Sequence, residues 1–318
     1  MIDLKWDSSS QAAAQAYVQK AAEHASQHEV STQKQFGAWM KQMREKLENQ
    51  SDSIIVETWA NGPEFKKFLS VLCRFSLAQP GGTLGAGVFN AALIYNQMPS
   101  AKCLKTFDQW AAMGEHIKKG SNSIDILVPR VVERNGQQVT YHNATKVFDV
   151  SQTTCRQEDR PLLSVDDLDI IRSISNSRLF NILVREDLPD GLEAAYIPKI
   201  NEVWIQDGLN SQETRAALLR ETAHYFFTQA SEYTRSPQAN FEAYMAAYLV
   251  STYFGLDTGD QLMPLPKEAF PPSVKTGAEM RESVACALNT SRRMCDTMEL
   301  TLEKLGARLF PSHEEMSR

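Results

Sequence analysis

The segment that decides the fold is residues 219–225, Leu-Arg-Glu-Thr-Ala-His-Tyr. The pattern His-Glu-x-x-His on a helix binds zinc, because its two imidazoles share one face and its glutamate can act as general base for a metal-bound water. In this chain Arg220 stands at the first histidine, ahead of Glu221 and His224. A guanidinium stays protonated at physiological pH and has no lone pair, so it cannot ligate a metal. The segment therefore predicts a helix with a metal-binding pattern that lacks one ligand.

The elements on both sides of this segment fit the same pattern. Residues 194–206 have strand character, although Pro198 limits their first half to an edge strand. Helices are predicted over residues 211–229 and 240–254. The second of these helices carries Glu242, and such a later helix often supplies a third metal ligand.

In isolation the segment favours an ordinary amphipathic helix with one histidine and several charges, because short motifs of this kind occur by chance. In that case Arg220 would pair with Glu221 or Glu242 and hold the two helices together without a metal. A last long helix is predicted over residues 277–305, with one apolar stripe that favours a core face over a partner groove.

The first half of the chain is predicted to be helical and to end in a β-hairpin. Asn135-Gly136 supplies the hairpin turn between two alternating segments, residues 124–128 and 139–147. Phe107 and Trp110 share one face of the helix around them, which favours packing in the core. The fold class is α+β, with a helical N-terminal domain that carries a small sheet and a mainly helical C-terminal domain with another. The predicted helices of the first half cover residues 9–49 (one or two helices), 63–75, 88–95 and 106–118.

Length and composition favour two globular domains. The chain has 318 residues, and a polar stretch at 151–165 places the boundary between domains at 1–155 and 156–318. Its five cysteines include no Cys-x-x-Cys pair, which predicts reduced thiols in a cytoplasmic protein. No apolar run is long enough to span a membrane, and the N-terminus does not have the features of a secretory signal.

The charge of the chain is unevenly distributed. The net charge of −6 disfavours a generally basic nucleic-acid binder. However, residues 61–150 contain ten Lys or Arg against six Asp or Glu, a local balance of +4. Such a segment can be a solvated face without a partner, or it can be a basic surface that binds single-stranded nucleic acid beside aromatic side chains. The candidate contact residues by this chemistry are Tyr95, Lys102, Lys105, Lys118, Lys119, Gly120, Arg130 and Lys146.

Residues 88–152 resemble the N-terminal domain of the ArdC-type antirestriction proteins of mobile elements, such as those carried on plasmids. Residues 194–258 resemble the zincin-like metallopeptidase domain of the same family, through Arg-Glu-Thr-Ala-His, Glu242 and the segment Tyr253-Phe-Gly-Leu-Asp257. The N-terminal match rests on Asn90 with Leu93-Ile94, Gln97-x-Pro99, Phe107-x-x-Trp110, Gly114, Ile117-Lys-Lys-Gly120 with Ile124 and Ile126, and Val147 to Gln152.

The resemblance implies a function for each domain. The first domain would bind single-stranded DNA, with Asn90 and Gln97 among the contact residues. The second would use His224 and Glu242 as zinc ligands and Glu221 as general base. Arg220 departs from the family at a ligand position, which argues against zinc and against peptidase activity.

Three functions therefore stand open. The leading one is a single-stranded-DNA-binding, antirestriction-like accessory protein of a mobile element, with an inactive metallopeptidase-like domain. The second is an active zinc metallopeptidase that uses Glu221 as general base. The third is a protein-binding module that masks a restriction enzyme or a host factor, a partner that the sequence does not identify.

Overall fold

A computed structural model describes residues 37–77, 87–134, 137–155, 165–229, 235–259 and 276–306. Within these residues the chain is mixed α+β, with eight α-helices and two three-stranded sheets. The predicted fold class is confirmed. Residues 1–36, to which one or two helices were partly assigned, lie outside the described part, as does most of the glycine-rich run at 81–87.

Three helices open the described chain. Helix α1 covers residues 37–59, α2 is Gly62–Ser76 and α3 is Val88–Gln97. Helix α2 begins where the Asn61 side chain accepts a hydrogen bond from the backbone N–H of Glu64, and a proline occupies its first turn. Its predicted apolar face is buried, as expected.

The first sheet is a long hairpin with a short third strand. Strands β2 (Ile124–Arg134) and β3 (Gln137–Asp149) pair antiparallel, and β1 (Leu104–Lys105) pairs with the other edge of β3. The last residue of β2 faces the first residue of β3, which leaves two residues for the connection. The predicted hairpin is thus confirmed, although Asn135 and Gly136 themselves lie outside the described residues.

Helix α4 is shorter than predicted. It is Phe107–Ala112, because Gly114 adopts a positive φ of 78° that ends a helix. Trp110 is buried as expected, at 1% exposure, and its indole Nε1 donates to the carbonyl of Phe148 at 2.9 Å. The core prediction for Phe107 is wrong: this side chain is 59% exposed, because it occupies the first position of the helix.

The second sheet is formed by three strands in the C-terminal half of the chain. After α5 (Asp167–Asn176) come β4 (Asn181–Arg185), β5 (Ala194–Ile197) and β6 (Glu202–Gln206). The order is β4-β6-β5, with β4 parallel and β5 antiparallel to the central β6. The edge-strand prediction for the segment ahead of Pro198 is confirmed. Helix α5 and strand β4 were not predicted.

Three long helices complete the chain: α6 (Ser211–Thr228), α7 (Pro237–Tyr253) and α8 (Gly277–Lys304). Asn210 and Glu213 form a capping box at the start of α6. The predicted stripe of α8 is buried in the core except for Leu305, which follows the helix and is 50% exposed.

One apolar core joins side chains from both halves of the sequence. Phe65 of α2 stacks on Phe241 of α7, with ring centroids 6.1 Å apart, and Trp59 of α1 contacts both rings. Residues 156–164, where the domain boundary was predicted, lie outside the described part. None of the helices in the described ranges is both long and apolar enough to cross a membrane.

A buried arginine ties α6 to its neighbours. The Arg215 side chain is 1% exposed, pairs with Asp167 of α5, and donates to the carbonyl of Asp257 at 2.6 Å. These bonds fix the start of α6 against α5 and against the chain that follows α7.

Candidate functional site

The glutamate and histidine of the decisive segment are buried between α6, β5 and the chain before α7. Glu221 is 2% exposed; its carboxylate accepts from the backbone N–H of Tyr196 in β5 at 2.6 Å and from Arg235 Nη2 at 2.7 Å. Burial raises the pKa of Glu221, and the adjacent Arg235 opposes this shift. Glu221 is therefore already paired inside the protein.

His224 is neutral at physiological pH. Burial, assisted by the positive charges of Arg235 and Arg220, lowers its pKa to about 3. The ring packs edge-on against Phe227 at 5.9 Å. Two arginines thus place positive charge near His224, the histidine of the decisive segment.

Arg220 forms no ion pair with Glu221 or with Glu242 among the described contacts. Its guanidinium pairs with Glu193, just before β5, and lies over the ring of Tyr244 at 4.8 Å from the centroid. The expectation that Arg220 pairs with Glu221 or Glu242 is wrong, because its partner is Glu193. A guanidinium stacked on an aromatic ring and paired with a carboxylate is a stable arrangement without a metal.

Glu242 is engaged on its other side, with α8. Its Oε1 accepts from Ser283 Oγ at 2.7 Å and from Gln238 Nε2 at 2.9 Å. Cys286 also contacts this carboxylate; burial and the adjacent Glu242 raise the pKa of the Cys286 thiol to about 12. Three residues of α7 and α8 thus supply Glu242 with polar contacts.

This donor set does not fit a zincin metal. Within the described ranges, no group of three or more His, Cys, Asp or Glu side chains is placed to hold a metal ion. His224 and Glu242 are the ligand types that remain, and the position of the third is held by a permanent cation.

A second candidate surface lies at the end of the first sheet. We call Lys102, Lys105, Lys118 and Lys119 the lysine face. Lys102, Lys118 and Lys119 are exposed, and Lys105 is partly buried with its ammonium 5.6 Å from the centroid of the Trp110 ring.

Residues 148–152 hold three of these lysines. Lys105 pairs with Phe148 in the sheet, and the backbone N–H of Lys102 donates to the carboxylate of Asp149 at 2.7 Å. Lys118 donates its backbone N–H to the carbonyl of residue 152 at 2.8 Å and its ammonium to that of residue 151 at 2.9 Å. One short segment thus brings together lysines that lie far apart in sequence.

Other predicted contact residues have roles inside the protein. Asn90 is buried and its amide bonds both the N–H and the carbonyl of Leu127, at 2.8 and 2.6 Å, which joins α3 to β2. Gln97 does the same two turns later, with both backbone groups of Asp125. These two side chains position the sheet.

The remaining predicted residues differ in their surroundings. The Tyr95 hydroxyl donates to Glu64, and burial together with this carboxylate raises the pKa of Tyr95 to about 12. Gly120 is exposed with a φ of 86°, which an L-residue rarely adopts, so the glycine permits the turn after Lys119. Lys146 pairs with Asp125 at 2.9 Å. Arg130 lies in β2, and its side chain is outside the described part.

Sequence reasoning missed Arg235 and Glu193, the two residues that neutralise the decisive segment. Both lie outside the helices, and no spacing rule connects them to Glu221 or Arg220. A capping box that starts at Thr106, together with Gly114, could have placed Phe107 at the exposed start of a short helix.

Comparisons by sequence give a distant relative and no family. No protein-family model matches the chain. An uncharacterized protein of Bacillus anthracis is 20% identical over 325 aligned residues, which cover 83% of this chain. The chain spans about half (53%) of the length of that relative.

The fold is that of a solved antirestriction protein. The metal-free crystal structure of ArdC from plasmid R388 has a TM-score of 0.52 to this chain at 14% identity, and the match covers 81% of this chain and 98% of ArdC. The Mn(II)-bound structure of the same ArdC gives a TM-score of 0.49 at 14% identity, over 67% of this chain and 84% of ArdC. Structural similarity to ArdC over most of the chain is as the sequence resemblance predicted.

Proposed function

We propose that this chain is a single-stranded-DNA-binding, antirestriction-like accessory protein whose zincin-like domain does not act as a peptidase. The observation that carries the proposal is the lysine face, where residues 148–152 hold Lys102, Lys105 and Lys118, and Lys119 follows directly after Lys118. Clustered lysines bind phosphates and release counterions, which gives affinity without sequence specificity.

The acidity of the whole chain does not oppose this binding. Charges in water are screened within about 8–10 Å at physiological salt, so the local balance governs the contact. Residues 101–120 contain four lysines against Asp108 and Glu115, a balance of +2. Glu115 accepts a hydrogen bond from Thr154 at 2.6 Å, so its carboxylate already has a donor.

The ArdC fold supports the antirestriction part of the proposal. The solved protein is an antirestriction protein of a plasmid, and this chain shares its fold over most of its length. The N-terminal segment that resembles the DNA-binding domain of that family contains the lysine face.

The arrangement around Glu221 supports the absence of peptidase activity. A general base must reach a water, yet Glu221 is 2% exposed and its carboxylate is held by the backbone N–H of Tyr196 and by the ion pair with Arg235. The Arg220 guanidinium adds a positive charge where a dication would have to bind.

Fluorescence anisotropy tests the DNA-binding part. A labelled oligonucleotide is titrated with the full chain as a single strand and as a duplex, at the same salt concentration, with and without EDTA. We expect tighter binding to the single strand, unchanged by EDTA; equal or absent binding to both would contradict the proposal.

Elemental analysis of the purified chain tests the second part. We expect less than stoichiometric zinc or manganese, and no gain of metal on Glu242→Gln. Stoichiometric metal that is lost on His224→Ala would favour the active metallopeptidase instead. The variant Arg220→His restores the missing ligand type, and its zinc content shows whether the rest of the site can still bind the metal.

A further inference from the structure

We propose that Phe107 is a stacking platform for a base of the single-stranded DNA, beside the lysine face. This inference rests on the proposed function and adds a residue that neither the sequence pattern nor the resemblance assigned to contact with DNA. Phe107 has the largest exposed fraction of all aromatic side chains that the structure describes, at 59%.

The ring of Phe107 is presented by a firmly anchored helix. Thr106 and Gln109 form a capping box at the start of α4, with bonds of 3.2 and 2.9 Å. Three residues after Phe107, the buried indole of Trp110 donates to the carbonyl of Phe148. Because the backbone that carries the ring is already fixed, no backbone has to be ordered when a ligand covers Phe107.

The surroundings of Phe107 favour a nucleobase as its occupant. Within the described ranges, Phe107 stacks on no other ring, and Ala111, one turn later on the same face, is exposed and leaves the ring open. An isolated exposed apolar residue needs no explanation by itself. Here, however, the ring stands two residues after Lys105, on a helix fastened to the same segment that holds Lys102 and Lys118.

The make-up of this surface selects the kind of ligand. A single-stranded nucleic acid carries a flat apolar face and a phosphate in each nucleotide, which matches an exposed aromatic ring on a helix fastened to the segment that holds the lysines. Stacking tolerates any base, because every base has a π-face. We therefore expect a contribution to affinity that does not depend on sequence.

The experiment compares Phe107→Ala with the wild-type full chain on three labelled strands: oligothymidylate, oligodeoxyadenylate and an abasic strand of the same length. We expect Phe107→Ala to weaken binding to both base-containing strands by about 5- to 150-fold, the range for one stacked base. Binding to the abasic strand should stay the same within about twofold, since its phosphates still meet the lysines.

Two further variants separate stacking from other effects. Phe107→Trp should retain wild-type affinity, and its added fluorescence should be quenched by oligothymidylate. Val184→Ala, which truncates an equally exposed apolar side chain (62%) on β4, should leave DNA affinity unchanged.

The outcomes distinguish this inference from the proposed function. If the wild type binds oligothymidylate and Phe107→Ala binds it equally well, the stacking role is wrong and the DNA-binding function stands. If Phe107→Ala weakens binding to all three strands alike, Phe107 supports the fold of the surface instead of stacking. If the wild type binds no single strand, the proposed function itself is wrong.

Discussion

Removing Arg235 should destabilise the protein through the buried carboxylate that it neutralises. Glu221 is 2% exposed, and its ion pair with Arg235 measures 2.7 Å. Removing one partner of a fully buried pair costs about 3–5 kcal/mol, but the Arg235 side chain is 37% exposed, so solvent screens the pair. We expect Arg235→Ala to lower the free energy of unfolding by about 1–3 kcal/mol.

The effect should depend on pH with a definite sign. Burial raises the pKa of Glu221 in the folded state, so its contribution favours folding at low pH and is lost as pH rises through the folded pKa. Without Arg235, which lowers that pKa, the folded pKa rises further. The destabilisation by Arg235→Ala should therefore be larger near about pH 8 than near about pH 5.

A double-mutant cycle measured by urea unfolding isolates this interaction. Glu221→Gln keeps the shape of the side chain and an acceptor for the backbone N–H of Tyr196, and in that background Arg235→Ala should cost little. A coupling energy below about 0.5 kcal/mol, or a destabilisation that is the same at both pH values, would refute the view that Arg235 neutralises a buried carboxylate.

Three further substitutions test the packing that positions the two candidate surfaces. Arg215→Ala leaves the carboxylate of α5 without its partner and opens a cavity, so urea unfolding should show a loss of about 3 kcal/mol. Gly277→Ala would place a Cβ 2.7 Å from the Cβ of Asp52 and should cost about 1–3 kcal/mol by thermal unfolding, whereas no such contact surrounds the control Gly37→Ala. Asn90→Ala leaves both backbone groups of one buried β2 residue unpaired and should cost about 2–4 kcal/mol, with single-strand affinity per folded molecule retained in an anisotropy titration.

Local patterns in the sequence were enough to predict much of the fold. Helix α8 was predicted to within a residue at each end, because its long apolar stripe defines it independently of its neighbours. The β2–β3 hairpin was equally predictable, since alternation and an Asn-Gly turn act over short range.

The elements that the sequence did not predict depend on tertiary contacts. Strand β4 exposes most of its side chains, including Leu183 and Val184, so it shows no alternation of apolar and polar residues. The strand forms because it pairs with β6. Helix α5 has only ten residues, and three acidic ones at its start conceal the apolar face that holds Ile170 and Ile174.

The positions of the candidate sites could be predicted from the sequence, but the contact partners of their residues could not. The loss of a ligand at Arg220 followed from the chemistry of the guanidinium alone. Its partner Glu193 and the neutralising Arg235 come from loops that only the folded chain brings to α6. Likewise, the lysines were identified by charge, whereas the segment that gathers them became visible only in the sheet.

The salt dependence of single-strand binding tests the central claim, DNA binding through the lysine face, most directly. If four lysines each neutralise one phosphate, the logarithm of the affinity should fall with the logarithm of salt concentration with a slope of about −3. The double variant Lys118→Ala, Lys119→Ala should reduce that slope by about 1.4, while a control that removes two exposed lysines elsewhere, Lys199→Ala with Lys304→Ala, should leave it unchanged. A slope near zero, or an equal reduction by both double variants, would contradict the account.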